Sequence, residues 1–126
     1  MRLLLDTHVA LWALGDPDRL SDEASSLIAD PAHEVYVSAV TVWEVEIKRA
    51  IGKLTAPDDF ATEVIERGFD GLAIDLAHAS AAGRLPLLHP DPFDRMLVAQ
   101  AMVEGLILVS DDRNVSAYEV VVLRAT

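Results

Sequence analysis

The stretch Arg2-Leu3-Leu4-Leu5-Asp6-Thr7-His8 decides the fold. Three consecutive leucines form a short uninterrupted apolar run, the pattern of a strand buried on both faces of a parallel sheet. Asp6 then stands at the carboxyl end of that strand, with the Thr7 hydroxyl beside it. In open α/β sheets ligands sit at that edge, close to where the strand order reverses. A bare carboxylate buried there is costly unless something positive is bound to it. Asp6 therefore reads in two ways, as the first ligand of a divalent-metal site or as a plain cap on the helix that follows.

The bulk composition narrows the classes. A chain of 126 residues, 52% hydrophobic and 25% charged, is sized for one domain spanning 1–126 with a real core and is too apolar to be disordered. No apolar run approaches the roughly 20 residues of a membrane span. The start, one arginine and three leucines before an acid, is too short and too acidic for a signal peptide. The chain has no cysteine, which removes disulfides, thiolate metal sites and cysteine nucleophiles. Together these features lead us to expect a cytoplasmic protein. The formal charge of −11 argues against simple electrostatic capture of nucleic acid, whose affinity comes largely from neutralised phosphates. Any RNA must be held through bound cations, local Arg/Lys clusters or weak contacts, and a basic partner protein fits the same surface.

Strands and helices alternate along the chain without linkers or repeats. A short helix over Val9 to Leu14 stops at Gly15-Asp16-Pro17, and Ser21 caps a helix from Asp22 to Ala29. Glu34 to Val37 reads as a strand, after which Ser38 caps a long helix to about Ile51 that Gly52 ends. Ala56-Pro57-Asp58-Asp59 opens a helix through Arg67. Leu72 to Leu76 reads as a third strand, backed by a short helix over Ala77 to Ala82. After a proline-bearing loop from Pro86 to Pro92, a helix over Phe93 to Glu104 closes at Gly105. Leu106 to Val109 is a fourth buried strand, and Val120 to Leu123 a last one. This alternation predicts a three-layer α/β/α sandwich around a mainly parallel sheet of four to five strands, with right-handed crossovers.

Three more acids fall where acids are not wanted. On the helix after Ser38, a step of about 100° per residue places Val40, Trp43, Ile47, Ala50, Ile51 and Leu54 on one core-facing stripe. Glu44 lies inside that stripe, whereas Glu46 projects with Arg49 and Lys53 toward solvent. A buried ion pair with an arginine explains Glu44 without any function, and a site ligand explains it better. In Asp91-Pro92-Phe93-Asp94, the grammar of a helix start accounts for both acids. Asp94 nevertheless lines up with Leu97, Val98 and Ala101 on an apolar helix and is directed inward. Asp111-Asp112, after Leu-Ile-Leu-Val-Ser110, repeats the geometry of Asp6, and one of the pair should point into the same shallow pocket. His8, His33, His78 and His89 lack metal-ligand spacing and read as polar or capping residues, with His8 near the pocket. No glycine-rich phosphate loop, GxSxG or HExxH motif is present.

Clustered carboxylates must share protons or bind cations. All-oxygen ligation selects hard ions such as Mg²⁺ or Mn²⁺, which activate water and stabilise leaving oxygens in phosphodiester hydrolysis. Thr7, Ser38, Thr41 and Ser110 are placed to orient the ligands or their waters.

Four motifs in order carry a family resemblance: Leu-Leu-Leu-Asp6-Thr7-His8, Ser38-x-x-Thr41-x-x-Glu44, Asp91-Pro-Phe-Asp94-Arg95, and Leu-Val-Ser110-x-Asp112. Across essentially its whole length the chain resembles the PIN-domain nucleases, and most of all the VapC toxins of bacterial toxin–antitoxin pairs. The resemblance implies a PIN-like fold and an Mg²⁺- or Mn²⁺-dependent ribonuclease with one or two ions. Its acid quartet lands on Asp6, Glu44, Asp94 and Asp112. It also implies a homodimer held inactive by a cognate VapB-like antitoxin, and cleavage leaving 5′-phosphate and 3′-hydroxyl ends. In the fourth motif the variable position is itself an acid, so Asp111 could replace Asp112 or add a ligand. Lys48, Arg49, Arg95 and Arg113 flank the acids and are the expected RNA-backbone contacts. The rival readings are a receiver-like phosphoacceptor domain, which wants a late lysine where this chain has none after Lys53, and a non-catalytic acidic module that recruits a basic partner.

Overall fold

The computed structural model describes all 126 residues. Five strands, β1 (Arg2–Leu5), β2 (Glu34–Ser38), β3 (Asp70–Leu72), β4 (Ile107–Ser110) and β5 (Val122–Arg124), form one sheet in the order β3-β2-β1-β4-β5. Every pairing is parallel. Six helices connect or flank them: α1 (Thr7–Gly15), α2 (Asp22–Ala29), α3 (Ala39–Ala50), α4 (Phe60–Glu66), α5 (Leu76–Arg84) and α6 (Pro92–Glu104). Single 3-10 turns follow α1 and β4.

The leucine run is why β1 lies at the centre. Leu3, Leu4 and Leu5 are each fully buried, and alternation sends them to opposite faces. Leu3 and Leu5 pack with Val9, Ala10, Ala24, Val45, Phe60 and Val64 of α1 to α4. Leu4 joins Val40, Leu97, Val98, Ala101 and Leu108 on the α6 side. Each buried leucine contributes about 1.5–3 kcal/mol, so two separate hydrophobic layers are clamped onto one strand. The chain winds from β1 through β2 to β3 on one side, then returns to β4 on the other. The order therefore reverses between β1 and β4, and a crevice opens beyond their carboxyl ends.

Most helix boundaries follow local chemistry. Ser21 and Ser38 accept from the backbone N–H groups of Ala24 and Val40, and Asp91 accepts from those of Phe93 and Asp94. Gly105 ends α6 at φ +68°, a left-handed cap that a side chain would strain.

Three expectations are corrected. The third strand is Asp70–Leu72, not Leu72 to Leu76. Asp75 accepts from the His78 N–H while the His78 ring accepts from the Asp75 N–H, so the end of Leu-Ala-Ile-Asp-Leu is a capping box. Leu76 begins α5 with its side chain 89% exposed. The last strand likewise lies two residues later than Val120. On α3 the buried residues are Val40, Thr41, Glu44 and Val45. Trp43 and Ile51, assigned to the core stripe, are 61% and 60% exposed. The helix turns a polar strip of Thr41, Glu44 and Lys48 inward because its inner face borders the crevice as well as the core.

Replacing Leu4 with Ala should lower stability by about 2–5 kcal/mol, because it opens a cavity against α6 in the least compliant strand. Urea unfolding measures this, and a loss below about 1 kcal/mol would mean that the two layers are not clamped on β1.

Candidate active site

Four separate stretches of chain bring their acids to the crevice. Asp6 comes from the end of β1, Glu44 from the second turn of α3, Asp94 from the first turn of α6, and Asp112 from the loop after β4. They line one cavity of about 360 Å³, together with Thr7, His8, Trp12, Lys48, Asp91 and Asp111. Six carboxylates thus face a single lysine.

Hydrogen bonds fix each acid. Asp6 is 8% exposed. Its Oδ1 accepts from the Val9 N–H at 2.9 Å and its Oδ2 from the Ser110 hydroxyl. It is therefore both the cap of α1 and a cavity wall, and the two readings of Asp6 are compatible. Ser110 Oγ also accepts from the Asp112 N–H at 3.0 Å, so one hydroxyl ties Asp6 to the loop carrying Asp112. Glu44, 3% exposed, accepts from Thr7 Oγ1 at 2.6 Å and pairs with Lys48 Nζ. Its cationic partner is Lys48, one turn further along the same helix, rather than an arginine. Thr41 Oγ1 stands 3.4 Å from Thr7 Oγ1. Ser38 touches none of the acids and acts by starting α3.

His89 is the residue that sequence reasoning passed over. Its Nε2 lies 3.0 Å from Asp94 Oδ2 and 2.9 Å from Asp112 Oδ2. Its Nδ1 accepts from the Asp91 N–H at 3.2 Å. The ring proton is then on Nε2, where the N–H is hydrogen-bonded to Asp112 and lies beside the Asp94 carboxylate. Tyr118 sets the loop: its hydroxyl accepts from the His89 N–H at 2.9 Å and donates to the Pro86 carbonyl at 2.7 Å. The available signal was local, a histidine two residues before Asp91 in a proline-flanked helix start. The contact to Asp112 spans 23 residues and leaves no periodic trace.

The remaining candidates separate cleanly. Asp111 turns to the chain's end, accepting from Arg124 and Thr126, whereas Asp112 turns to His89. Arg95 spends its guanidinium on the carbonyls of Ala82, Leu85 and Pro86, and Arg49 on Glu46 and the Pro57 carbonyl. Both are among the expected RNA contacts, and in this structure both are hydrogen-bonded within their own chain. Lys48 lines the cavity and Arg113 is exposed.

Crowding shows in the acidities. Burial, then the neighbouring charge of Asp91, pushes the Asp94 carboxyl up to about 7 from an ordinary 3.8, against the pull of His89. Burial also raises Asp6, opposed by the Ser110 hydrogen bond. Asp112 goes the other way: burial works against its charge, but the hydrogen bonds from His89 and the Asn114 N–H hold it below the usual range. The hydrogen bond to Glu44 raises Lys48 and keeps it charged. Carboxylates arranged so are a ready ligand set for a hard divalent cation. His89 Nε2 and the Asp94 and Asp112 carboxylates lie within 4.8 Å of one another, close enough to share one ion, and with the proton on Nε2 the open donors among them are oxygens.

The family model of the PIN domain matches residues 3–121, and the chain belongs to the PIN-domain family. A curated relative, Ribonuclease VapC22 of Mycobacterium tuberculosis, is 35% identical over 124 residues, covering 92% of this chain and 91% of that protein. Among solved structures, VapBC2 from Rickettsia felis bound to a DNA fragment from their promoter superposes with TM-score 0.75 at 13% identity over the full length of both chains. DNA-bound VapBC from Salmonella typhimurium gives TM-score 0.67 at 19% identity, covering 98% of this chain and 97% of that one. These two likenesses establish the three-layer fold. No helix is long and apolar enough to cross a membrane.

The raised carboxyls imply a pH dependence. With a folded pKa of about 7 against 3.8 unfolded, Asp94 in the folded chain holds a proton that the unfolded chain has released. Its favourable contribution is full below about pH 4 and is lost as pH rises toward 7, and Asp6 acts in the same direction. In chelator, the melting temperature should fall between pH 5 and 7.5. Asp94→Asn should flatten that fall and stabilise the protein by about 2 kcal/mol at pH 7.5. A thermal-melt series across pH checks it, and an unchanged slope would mean that Asp94 ionises freely.

Proposed function

We propose that this chain is a divalent-metal-dependent endoribonuclease, the toxin of a toxin–antitoxin pair, and that Asp6, Glu44, Asp94 and Asp112 are its metal-holding acids. One observation carries the reading: acids from four separate stretches converge on a crevice at the β1/β4 switch point. The 35% identical relative is itself a ribonuclease, which supports RNA as the substrate. Solved neighbours include a member of the VapBC family of toxin-antitoxin systems, VapBC-5 from Mycobacterium tuberculosis, which supports an antitoxin partner. A homodimer of single-domain subunits in the cytoplasm completes the proposal.

The donor set fits Mg²⁺ or Mn²⁺, being all-oxygen, partly buried and over-supplied with negative charge. A bound ion would supply an activated water and neutralise charge at the scissile phosphate. The chain's own residues make that site rigid. Ser110 sets Asp6 and the Asp112 loop in fixed relation, and His89 holds the Asp94 and Asp112 carboxylates together against their repulsion. Thr7 orients one oxygen of Glu44 while Lys48 takes the other. Lys48, on the cavity wall, is also the cation nearest to where a phosphate would lie, and exposed Arg113 is a second contact. Asp111, engaged with the C-terminal strand, supports the loop rather than joining the quartet.

Purified protein freed of any antitoxin should cut RNA only with Mn²⁺ or Mg²⁺, leaving 5′-phosphate ends. Asp6→Asn keeps an oxygen to cap α1 but removes the charge, and should lower the rate more than about 100-fold. Glu46→Gln, on the solvent side of α3, should stay near wild type. Cleavage that survives both chelator and Asp6→Asn would defeat the nuclease mechanism. Absence of cleavage, with a basic partner bound equally by wild type and Asp6→Asn, would instead mark an acidic binding module.

A further inference from the structure

Trp12 is the single hydrophobic residue on the wall of the acidic cavity. It lies on α1 one turn beyond His8, with the two rings 6.1 Å apart. Part of the indole packs onto the hydrophobic layer beneath, and the rest remains at the rim. Arg19, from the 3-10 turn after α1, sets its guanidinium carbon 4.7 Å from the centre of the indole ring. Core packing explains a large apolar residue on this helix. It does not explain an aromatic ring left at the mouth of a charged cavity with an exposed arginine laid over it.

The nuclease reading, on which this inference rests, poses a problem that the pair solves. A chain of net charge −11 repels a polyanion, so phosphate attraction contributes little to holding the substrate. Stacking against an aromatic ring or a guanidinium plane needs no favourable net charge and is indifferent to base identity. We propose that Trp12, with Arg19 stacked on it, is the platform for an unpaired base beside the phosphate to be cut. The substrate is then single-stranded or looped RNA, because bases inside a duplex present no free face. Trp12 and Arg19 act as positioning residues, binding the substrate without entering the chemistry.

The chain has two tryptophans, and Trp43→Phe leaves Trp12 as the only one. In chelator, where nothing is cut, the fluorescence of that variant should be quenched by a short single-stranded oligoadenylate. The same strand paired to its complement should leave it unchanged. In the cleavage assay, Trp12→Leu should raise KM about tenfold with kcat within about twofold, and Trp12→Phe should recover most of the loss. Arg19→Lys should not restore the loss caused by Arg19→Ala, since an ammonium cannot stack. Equal quenching by strand and duplex, or none by either, overturns the platform, as does an unchanged KM in Trp12→Leu. If Trp12→Leu fails to fold, the fluorescence titration still decides. Loss of all cleavage in wild type with quenching intact would remove the nuclease reading and leave the platform standing.

Discussion

Like charges forced together in a half-buried crevice are the constraint on which this structure turns. Six carboxylates share a cavity of about 360 Å³ with a single lysine. Such an arrangement is unfavourable in a bare protein, and the fold spends hydrogen bonds to sustain it. The Ser110 hydroxyl, the Thr7 hydroxyl, the His89 N–H and four helix or loop backbone amides all donate to these acids. None of these donors removes the excess charge. They hold the geometry, while burial and the neighbouring acids still push the Asp94 carboxyl up.

The parallel sheet makes that crowding achievable. Two hydrophobic layers grip β1 from opposite sides, so Asp6 leaves a strand that cannot shift. The reversal of strand order beside β1 opens room for β4 to deliver Asp112 next to it. The helices α3 and α6 then approach the same edge, with Asp94 in the first turn of α6, where the helix dipole favours negative charge, and Glu44 in the second turn of α3. Scaffold and site are one design: rigid apolar packing holds the mutually repelling groups in place.

Much of this was legible in the residues because it rests on local signals. The leucine run names a doubly buried strand, and Ser21, Ser38, Asp91 and Gly105 mark helix ends that the structure repeats. Acids at strand ends and on an apolar helix face stand out against their surroundings. What was not legible depends on distant partners. Trp43 and Ile51 read as core by hydropathy, yet α3 turns toward a polar crevice and leaves them outside. Leu72 to Leu76 reads as a strand until the reciprocal bonds between Asp75 and His78 claim its end for a helix. His89 acquires its role only when the β4 loop folds back onto it. The carbonyls and the acid that Arg49 and Arg95 bond to were likewise not legible from their positions in the sequence.

The two outermost strands, β3 and β5, each run for only three residues. A sheet margin this short offers a visiting peptide almost no open ladder of amides and carbonyls to extend. Strand donation from another molecule is therefore a poor route to this protein. What the flanks of the sheet present to a neighbouring molecule is side chains rather than an unpaired backbone ladder.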